Sequence, residues 1–218
     1  MGRKVLDQQE SKKQTICLCM IVKNEEEVIT QAFDSVSNIV DYIVVCDTGS
    51  TDDTIEIMED WFKDNNIKGE VHQRPWVDFS HNRTEAFNYA KGKCDYIMTL
   101  DADEVIAPCK DGKPMLGHKL LTIPELTTDR VEIRTVYGPV VYNRTQFFKD
   151  GLDWSWRWPI HEICSAPEAE TTSLLVDLCD VPSPTGNRRK DPNTFKRDAL
   201  VFENWVLDNP TDTRGWFY

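Results

Sequence analysis

Three short apolar runs in the first half of this 218-residue chain each end abruptly in polar or acidic residues, and this recurrence restricts the possible folds more than any other feature. Thr15 to Val22 (TICLCMIV) breaks at Lys23-Asn24-Glu25-Glu26-Glu27. Tyr42 to Cys46 (YIVVC) breaks at Asp47-Thr48-Gly49-Ser50-Thr51-Asp52-Asp53-Thr54, and Ile97 to Leu100 breaks at Asp101-Ala102-Asp103-Glu104. An apolar run without alternation is what a strand covered on both faces requires, as in a parallel sheet. Carboxylates are expelled from such a core, so they fall at the carboxyl edge of the sheet, where open α/β folds bind ligands. In an extended segment Asp101 and Asp103 point to the same side and can converge on one hard cation, which in turn can hold a diphosphate. Taken alone, Asp-x-Asp is a weak signal and is more often a solvated acidic turn.

The segments between the runs read as helices. Glu25 to Glu27 would place acids in a first turn, ahead of a face formed by Val28, Ala32, Phe33 and Val36. Gly49 permits a tight turn and Ser50 to Asp53 offers helix caps, after which Ile55, Met58, Trp61 and Phe62 form a second buried stripe. A third, shorter strand is expected over Glu70 to Arg74. Asp78-Phe79-Ser80 then caps a helix over about residues 81–91, with Asn82 and Arg83 in its first turn. Strand-helix alternation through residue 104 predicts a doubly wound, mostly parallel sheet with right-handed crossovers.

Beyond Ile106 the pattern changes. Residues 107–119, with two prolines, two glycines and mixed charge, read as an exposed loop. Arg130 to Tyr137 and Val140 to Asn143 are rich in β-formers around Gly138-Pro139 and predict paired strands. Trp154, Trp156 and Trp158 alternate, so their rings would share one side of an extended segment, either as core packing or as a stacking platform for a sugar ring or base. Thr172 to Leu178 reads as one more strand. After the loop from Pro182 to Asn193 a helix is expected with Phe195, Ala199, Phe202 and Val206 on one face, and Asp212 to Tyr218 reads as the opening of another.

Composition narrows the classes. With 40% hydrophobic and 28% charged residues the chain is globular, and its length suits one sizeable domain. A net charge of -12 argues against nucleic acid or an anionic membrane surface as the main partner. No apolar run approaches the roughly 18 to 20 residues of a membrane span, and the N-terminus lacks the apolar core of a signal peptide. Residues 1–14 read as a flexible polar tail. Met1-Gly2 is not followed by Ser or Thr at position 6, where Leu6 stands, so the myristoylation pattern fails. Seven cysteines with no Cys-x-x-Cys pair, most of them in apolar contexts, read as reduced small hydrophobes and point to the cytoplasm. The Asn-x-Thr triplets at Asn82 and Asn143 are then coincidental.

Taken together, Met20-Ile21-Val22-Lys23-Asn24-Glu25-Glu26, Asp47 to Thr54, Asn82-Arg83-Thr84 and Asp101-Ala102-Asp103-Glu104 resemble, in order and spacing, the four N-terminal motifs of family 2 glycosyltransferases. The similarity extends through Arg144 and His161-Glu162 to the helix bearing Lys196-Arg197, and the final segment resembles the start of the tetratricopeptide repeats that follow the catalytic domain in some members. The resemblance implies a GT-A fold: an α/β domain with a mixed, Rossmann-like central sheet flanked by helices. It would span residues 15–185, with a nucleotide-binding half at 15–104 and a sugar and acceptor half at 105–185. Residues 186–218 would form a loop and helix that open a truncated repeat region.

The resemblance also implies roles. Asp47 and Glu25 would accept hydrogen bonds from base N–H groups and ribose hydroxyls, with the backbone near Met20 and Ile21, Asp52 and Ala102 completing the nucleotide pocket. Arg83 would meet a diphosphate or base carbonyl, unless it is a surface helix arginine. Asp103 would ligate Mn2+ or Mg2+, Asp101 would meet the ion, ribose or a water, and His161 would be a third ligand or diphosphate contact, unless structural. Glu162, a carboxylate beside aromatic groups and suited to a raised pKa, is the candidate base, with Asp153 as the alternative, because family members often carry an acidic pair where this chain has His161-Glu162. Arg144 and the Arg188-Arg189-Lys190 cluster would add phosphate contacts from a loop able to close over the donor, or serve solubility alone. The function expected is metal-dependent, inverting transfer from a nucleotide-diphosphate sugar, a UDP-sugar foremost, to a hydroxyl of a glycan or protein. The rivals are a catalytically silent binding module that recruits partners, and a nucleotidyltransferase. The latter would need a glycine-rich basic loop after the first strand, where this chain carries Lys23 to Glu27.

Overall fold

A computed structural model describes residues 13–117 and 120–217, except for the side chain of Arg189. The tail expected over residues 1–14 thus lies almost wholly outside the described residues. The first apolar run forms β1 (Ile16–Val22), followed by α1 (Ile29–Val36), β2 (Tyr42–Asp47), α2 (Thr54–Asp64), β3 (Lys68–Gln73), α3 (Phe79–Ala90) and β4 (Tyr96–Thr99). These four strands pair in parallel in the order β3-β2-β1-β4. β1 is buried along almost its whole length because it feeds two cores. Leu18 and Met20 pack on one side with Ile29, Phe33, Met58 and Phe62 of α1 and α2, while Cys17 and Cys19 pack on the other with Ala86, Phe87 and Ala90 of α3.

The second half adds β5 (Glu104–Lys110), β6 (Lys113–Pro114), β7 (Arg130–Tyr137), β8 (Val140–Lys149), β9 (Ser155–Arg157), β10 (Ile163–Ser165), β11 (Thr172–Pro182), α4 (Asn187–Lys190) and α5 (Thr194–Asp208). The full sheet runs β3-β2-β1-β4-β8-β7-β11-β5-β6, and β9 and β10 form a separate ribbon against α3. β4 to β8, β8 to β7, β11 to β5 and β5 to β6 are antiparallel, and β11 to β7 is parallel. The sheet is therefore mixed, as the family resemblance implied. The mostly parallel sheet read from strand-helix alternation holds only for its first four strands.

Several local expectations are corrected. The exposed loop expected over residues 107–119 is instead largely β5 and β6, joined at Asp111 and Gly112, whose φ values of 51° and 75° match the left-handed turn that Asp-Gly favours between hairpin strands. Glu25 to Glu27 do not enter α1. They occupy the preceding turn, where the Glu25 carbonyl accepts the N–H groups of Val28 and Ile29. α5 buries Phe202 and Val206 but leaves Phe195 87% exposed, so its apolar face is only half used. Cys109 and Cys179 are joined as a disulfide between β5 and β11, whereas Cys17, Cys19, Cys46, Cys94 and Cys164 are free. Among the described residues no helix is long and apolar enough to cross a membrane.

Packing of α2 on β3 depends on a glycine. A Cβ at Gly69 would lie 2.6 Å from the Phe62 ring, which is itself held against Phe33 at a centroid distance of 5.6 Å. Gly69→Ala is expected to lower stability in urea unfolding by about 1–3 kcal/mol through overpacking. A variant as stable as wild type would contradict this packing.

Candidate functional site

The carboxyl ends of β1, β2 and β4 share one edge because the three strands are parallel neighbours. The loops after β1 and β2 are bound to each other there. Asn24, at a φ of 55°, accepts the Thr51 N–H at 2.7 Å and donates its own N–H to Ser50 Oγ at 2.8 Å. Asp47 is 1% exposed; its Oδ1 accepts the N–H groups of Gly49 and Ser50, while its Oδ2 is buried with no hydrogen-bond partner. A buried, unsatisfied carboxylate oxygen is costly unless a ligand completes it. Asp52 caps the start of α2 through Thr54, with Oδ1 2.6 Å from the Thr54 hydroxyl. Met20 is a core side chain and Ile21 packs on the α3 side, so any role in binding rests on their backbone.

Glu25 lies under the segment from Ser183 to Lys190. Its carboxylate accepts the Asn187 N–H at 3.2 Å, while Lys190 Nζ reaches Glu27 at 2.6 Å. Burial pushes the Glu25 carboxyl up to about 7, with Asp103 and Asp52 adding repulsion against the opposing effects of Asn187 and Lys190. The same segment covers Asp103: the Ser183 N–H donates to the Asp103 carbonyl at 2.7 Å, and a Cβ at Gly186 would sit 2.5 Å from the Asp103 carboxylate. Arg188 lies elsewhere, over the Phe79 ring and bonded to Asp198.

The strongest electrostatic feature is a pair of arginines among four acids. Arg83, whose side chain is 11% exposed, donates through Nε to Glu162 at 2.6 Å and through a terminal nitrogen to Asp101 at 2.7 Å, with its plane 5.3 Å from the Trp156 ring centroid. It is a bridging residue and not a surface helix arginine. Burial works against its charge, but Asp101 and Glu162 outweigh that and hold its pKa above the usual arginine value. Arg144 donates to Glu104 and, at 2.9 Å, to Asp180. Glu104 and Asp180 are 4% and 0% exposed, and burial raises both carboxyls despite Arg144. Arg83, Asp101, Arg144, Trp156, His161 and Glu162 line a cavity of about 460 Å³, together with Glu132, Tyr142 and Arg214 among others.

The remaining candidates separate. Trp154 is a core residue beside Phe148, with its indole N–H bonded to the Lys149 carbonyl. Trp158 leaves the strand at a φ of 72° and donates to Asp212, so the shared face expected for all three tryptophans does not form. Only Trp156 reaches the cavity. Asp153 is also displaced: its side chain is 85% exposed, lies 3.8 Å from Lys91 and does not line the cavity, whereas Glu162 does. His161, at a φ of 54°, stacks on Phe202, and its carbonyl accepts from Arg214 at 3.0 Å. Ala102 is buried in the core.

Among the described residues no group of three or more His, Cys, Asp or Glu side chains is arranged to hold a metal, so Asp101, Asp103 and His161 do not form a complete site. Magnesium-type ions commonly take one or two carboxylates and draw their other ligands from substrate phosphates and water. Asp103 and Asp101 fit that requirement, and the negative field that Asp103 imposes on Glu25 and Asp180 favours a cation beside it. Asp180 and Thr135, which support the cavity wall through Arg144 without lining it, escaped the sequence reading, and Glu104 was read only as part of the acidic motif. A lone acid inside the apolar run Leu178-Cys179-Asp180-Val181 was the available signal, because buried acids require partners.

The Glu25 environment has a pH signature. The folded chain keeps the Glu25 proton up to about 7, whereas the unfolded chain loses it near 4.5, so this group's contribution to stability falls as pH rises between those values and is level above them. Glu25→Gln removes that slope. The melting-temperature difference between variant and wild type should shift in the variant's favour across that interval, and a difference constant from pH 4 to pH 8 would contradict the burial of Glu25.

Residues 17–115 match the profile described as "Glycosyl transferase family 2". A TPR repeat-containing protein of Synechococcus elongatus is 27% identical over 208 residues, covering 90% of this chain and 49% of that protein, so the chain spans about half the length of that relative. TarS of S. aureus, solved in complex with UDP, superposes with a TM-score of 0.54 at 15% identity over 88% of this chain and 65% of that one. The mannosyltransferase PcManGT from Pyrobaculum calidifontis, in complex with GDP-Man and Mn2+, gives 0.54 at 15% identity over 89% of this chain and 64% of that one. Residues 17–115 thus match glycosyltransferase family 2, and the fold of the chain is that of the GT-A glycosyltransferases.

Proposed function

We propose that the chain transfers a sugar from a UDP-sugar to a hydroxyl of a glycan or protein acceptor, with a divalent ion, Mn2+ or Mg2+, and with inversion at the anomeric carbon. The observation that carries this reading is the unsatisfied Asp47 Oδ2, buried on the same sheet edge as Asp101 and Asp103. Asp47 would accept the base N–H, and Glu25 and Asp52 stand beside the loop that would receive the ribose. Asp103, with Asp101, would hold the cation, which when bound supplies Lewis-acid stabilisation of charge on the diphosphate.

Glu162 would take the proton of the acceptor hydroxyl. That oxygen then bonds to the anomeric carbon as the bond from this carbon to the phosphate oxygen breaks and its electron pair leaves with the diphosphate. Arg83 orients the Glu162 carboxylate and Trp156 supports Arg83, which fixes the base at the cavity wall. TarS with UDP and PcManGT with GDP-Man and Mn2+ support a nucleotide-sugar donor and a divalent ion, on fold similarity.

Thermal-shift titration with UDP, GDP and their sugars, with and without Mn2+, tests the donor and the ion. UDP with Mn2+ should raise the melting temperature of wild type by mass action, and Asp103→Ala should abolish the Mn2+-dependent part. In turnover assays Glu162→Gln should lower kcat by about 10²- to 10⁴-fold with donor binding retained. No shift with any nucleotide would overturn the reading in favour of the silent binding module.

A further inference from the structure

Arg144 was expected to contact phosphate, yet its Nε and one terminal nitrogen are engaged inside the protein. One terminal nitrogen serves both the Glu104 and Asp180 carboxylates, the other lies 4.0 Å from Asp101 Oδ2, and Nε donates to Gln146 at 3.2 Å. Gln146 in turn donates to the carbonyl of Thr99, the last residue of β4. Turning the nitrogen that bridges Glu104 and Asp180 towards a diphosphate would leave two buried carboxylates uncompensated, which is strongly unfavourable.

The Glu104 carboxylate it holds closes the Asp101 to Glu104 turn. Glu104 Oε2 accepts the Asp101 N–H at 3.1 Å, and the Glu104 N–H donates to the Asp101 carbonyl at 3.0 Å. Asp180, on β11, is anchored by the Thr135 hydroxyl at 3.0 Å and by register with Ile106 and Thr135 on the strands to either side. Three residues further on, the Ser183 N–H grips the Asp103 carbonyl. The Asp101 to Asp103 turn is thus held on both sides, at one end through Arg144 of β8 tied to Asp180 of β11, and at the other through Ser183, which follows β11.

We infer that Asp180 and Glu104 are positioning residues that, through Arg144, set the geometry of the Asp101 to Asp103 turn for a divalent ion. This rests on the proposed role of that turn. Neither residue meets the donor, so their effect reaches it only through the placement of the carboxylates. A residue with a merely structural role would weaken every ligand equally. A positioning residue weakens the metal-dependent part alone.

Calorimetric titration of the purified chain with UDP, with and without Mn2+, separates these cases. Asp180→Asn is expected to leave metal-free UDP affinity unchanged and to reduce the enhancement by Mn2+ about 10- to 100-fold, the usual effect of removing a group that orients a metal ligand. Arg144→Lys should behave in the same way, whereas a phosphate-binding arginine would lose metal-free affinity. Glu104→Gln keeps an oxygen for the Asp101 N–H and should retain most of the enhancement that Glu104→Leu loses. If Asp180→Asn does not fold, Thr135→Val removes an anchor of Asp180 without changing charge and should show the same selective loss. A wild type in which Mn2+ gives no enhancement overturns both this inference and the proposed function. Enhancement present in wild type and undiminished in Asp180→Asn or Thr135→Val overturns this inference alone.

Discussion

Two guanidinium groups held among four carboxylates, at the point where β4 ends, tie the sheet to the candidate site. Four of these six side chains, Arg83, Glu104, Glu162 and Asp180, are 13% exposed or less, and charges so placed are tolerated only when paired and hydrogen-bonded with good geometry. Arg83 meets this condition by bridging Asp101 and Glu162, and Arg144 by bridging Glu104 and Asp180. The acids come from the turn after β4, the start of β5, the end of β11 and the segment before β10. Any shift in the register of those elements would leave a buried charge unpaired. The network therefore selects one arrangement of the second half of the chain against the first.

The sheet makes that arrangement possible. Its four parallel strands bring Asp47 and Asp101 to one edge, and the antiparallel strands that follow carry Arg144, Glu132 and Asp180 back towards it. Glu162 is delivered by a constrained segment. Trp158 and His161 hold positive φ values on either side of Pro159-Ile160, and bulky residues occupy that region only where the surroundings compel it. Asp212 takes the Trp158 and Trp205 indoles, and Arg214 bonds the His161 carbonyl. Residues after α5 are thereby part of the cavity wall.

How much was legible follows from range. β1, β2 and β4 were readable because an unbroken apolar run is a local signal, and the turn at Gly49 and the cap at Asp78 use local chemistry. The Asp-Gly hairpin between β5 and β6 was equally local and was masked by the prolines and mixed charge around it. The tryptophans misled because alternation assigns a common face only while the backbone stays extended, and it turns at Trp158. Asp153 stood in sequence as the alternative to Glu162, yet one is solvated and the other is paired with Arg83.

The sequence alone determined which strand ends carry polar groups, and hence that Asp47, Asp101 and Asp103 share an edge, because burial and the two-residue strand repeat act over a few neighbouring positions. The family motifs lie in that same local stretch. Only the tertiary structure decided that Arg144 pairs with Glu104 and Asp180, that Glu162 and not Asp153 faces the cavity, and that Asp103 lies beneath Gly186. Those outcomes depend on the register of strands far apart in the chain and on which buried charges find partners. Both are settled by the whole sheet at once, and no local pattern encodes them.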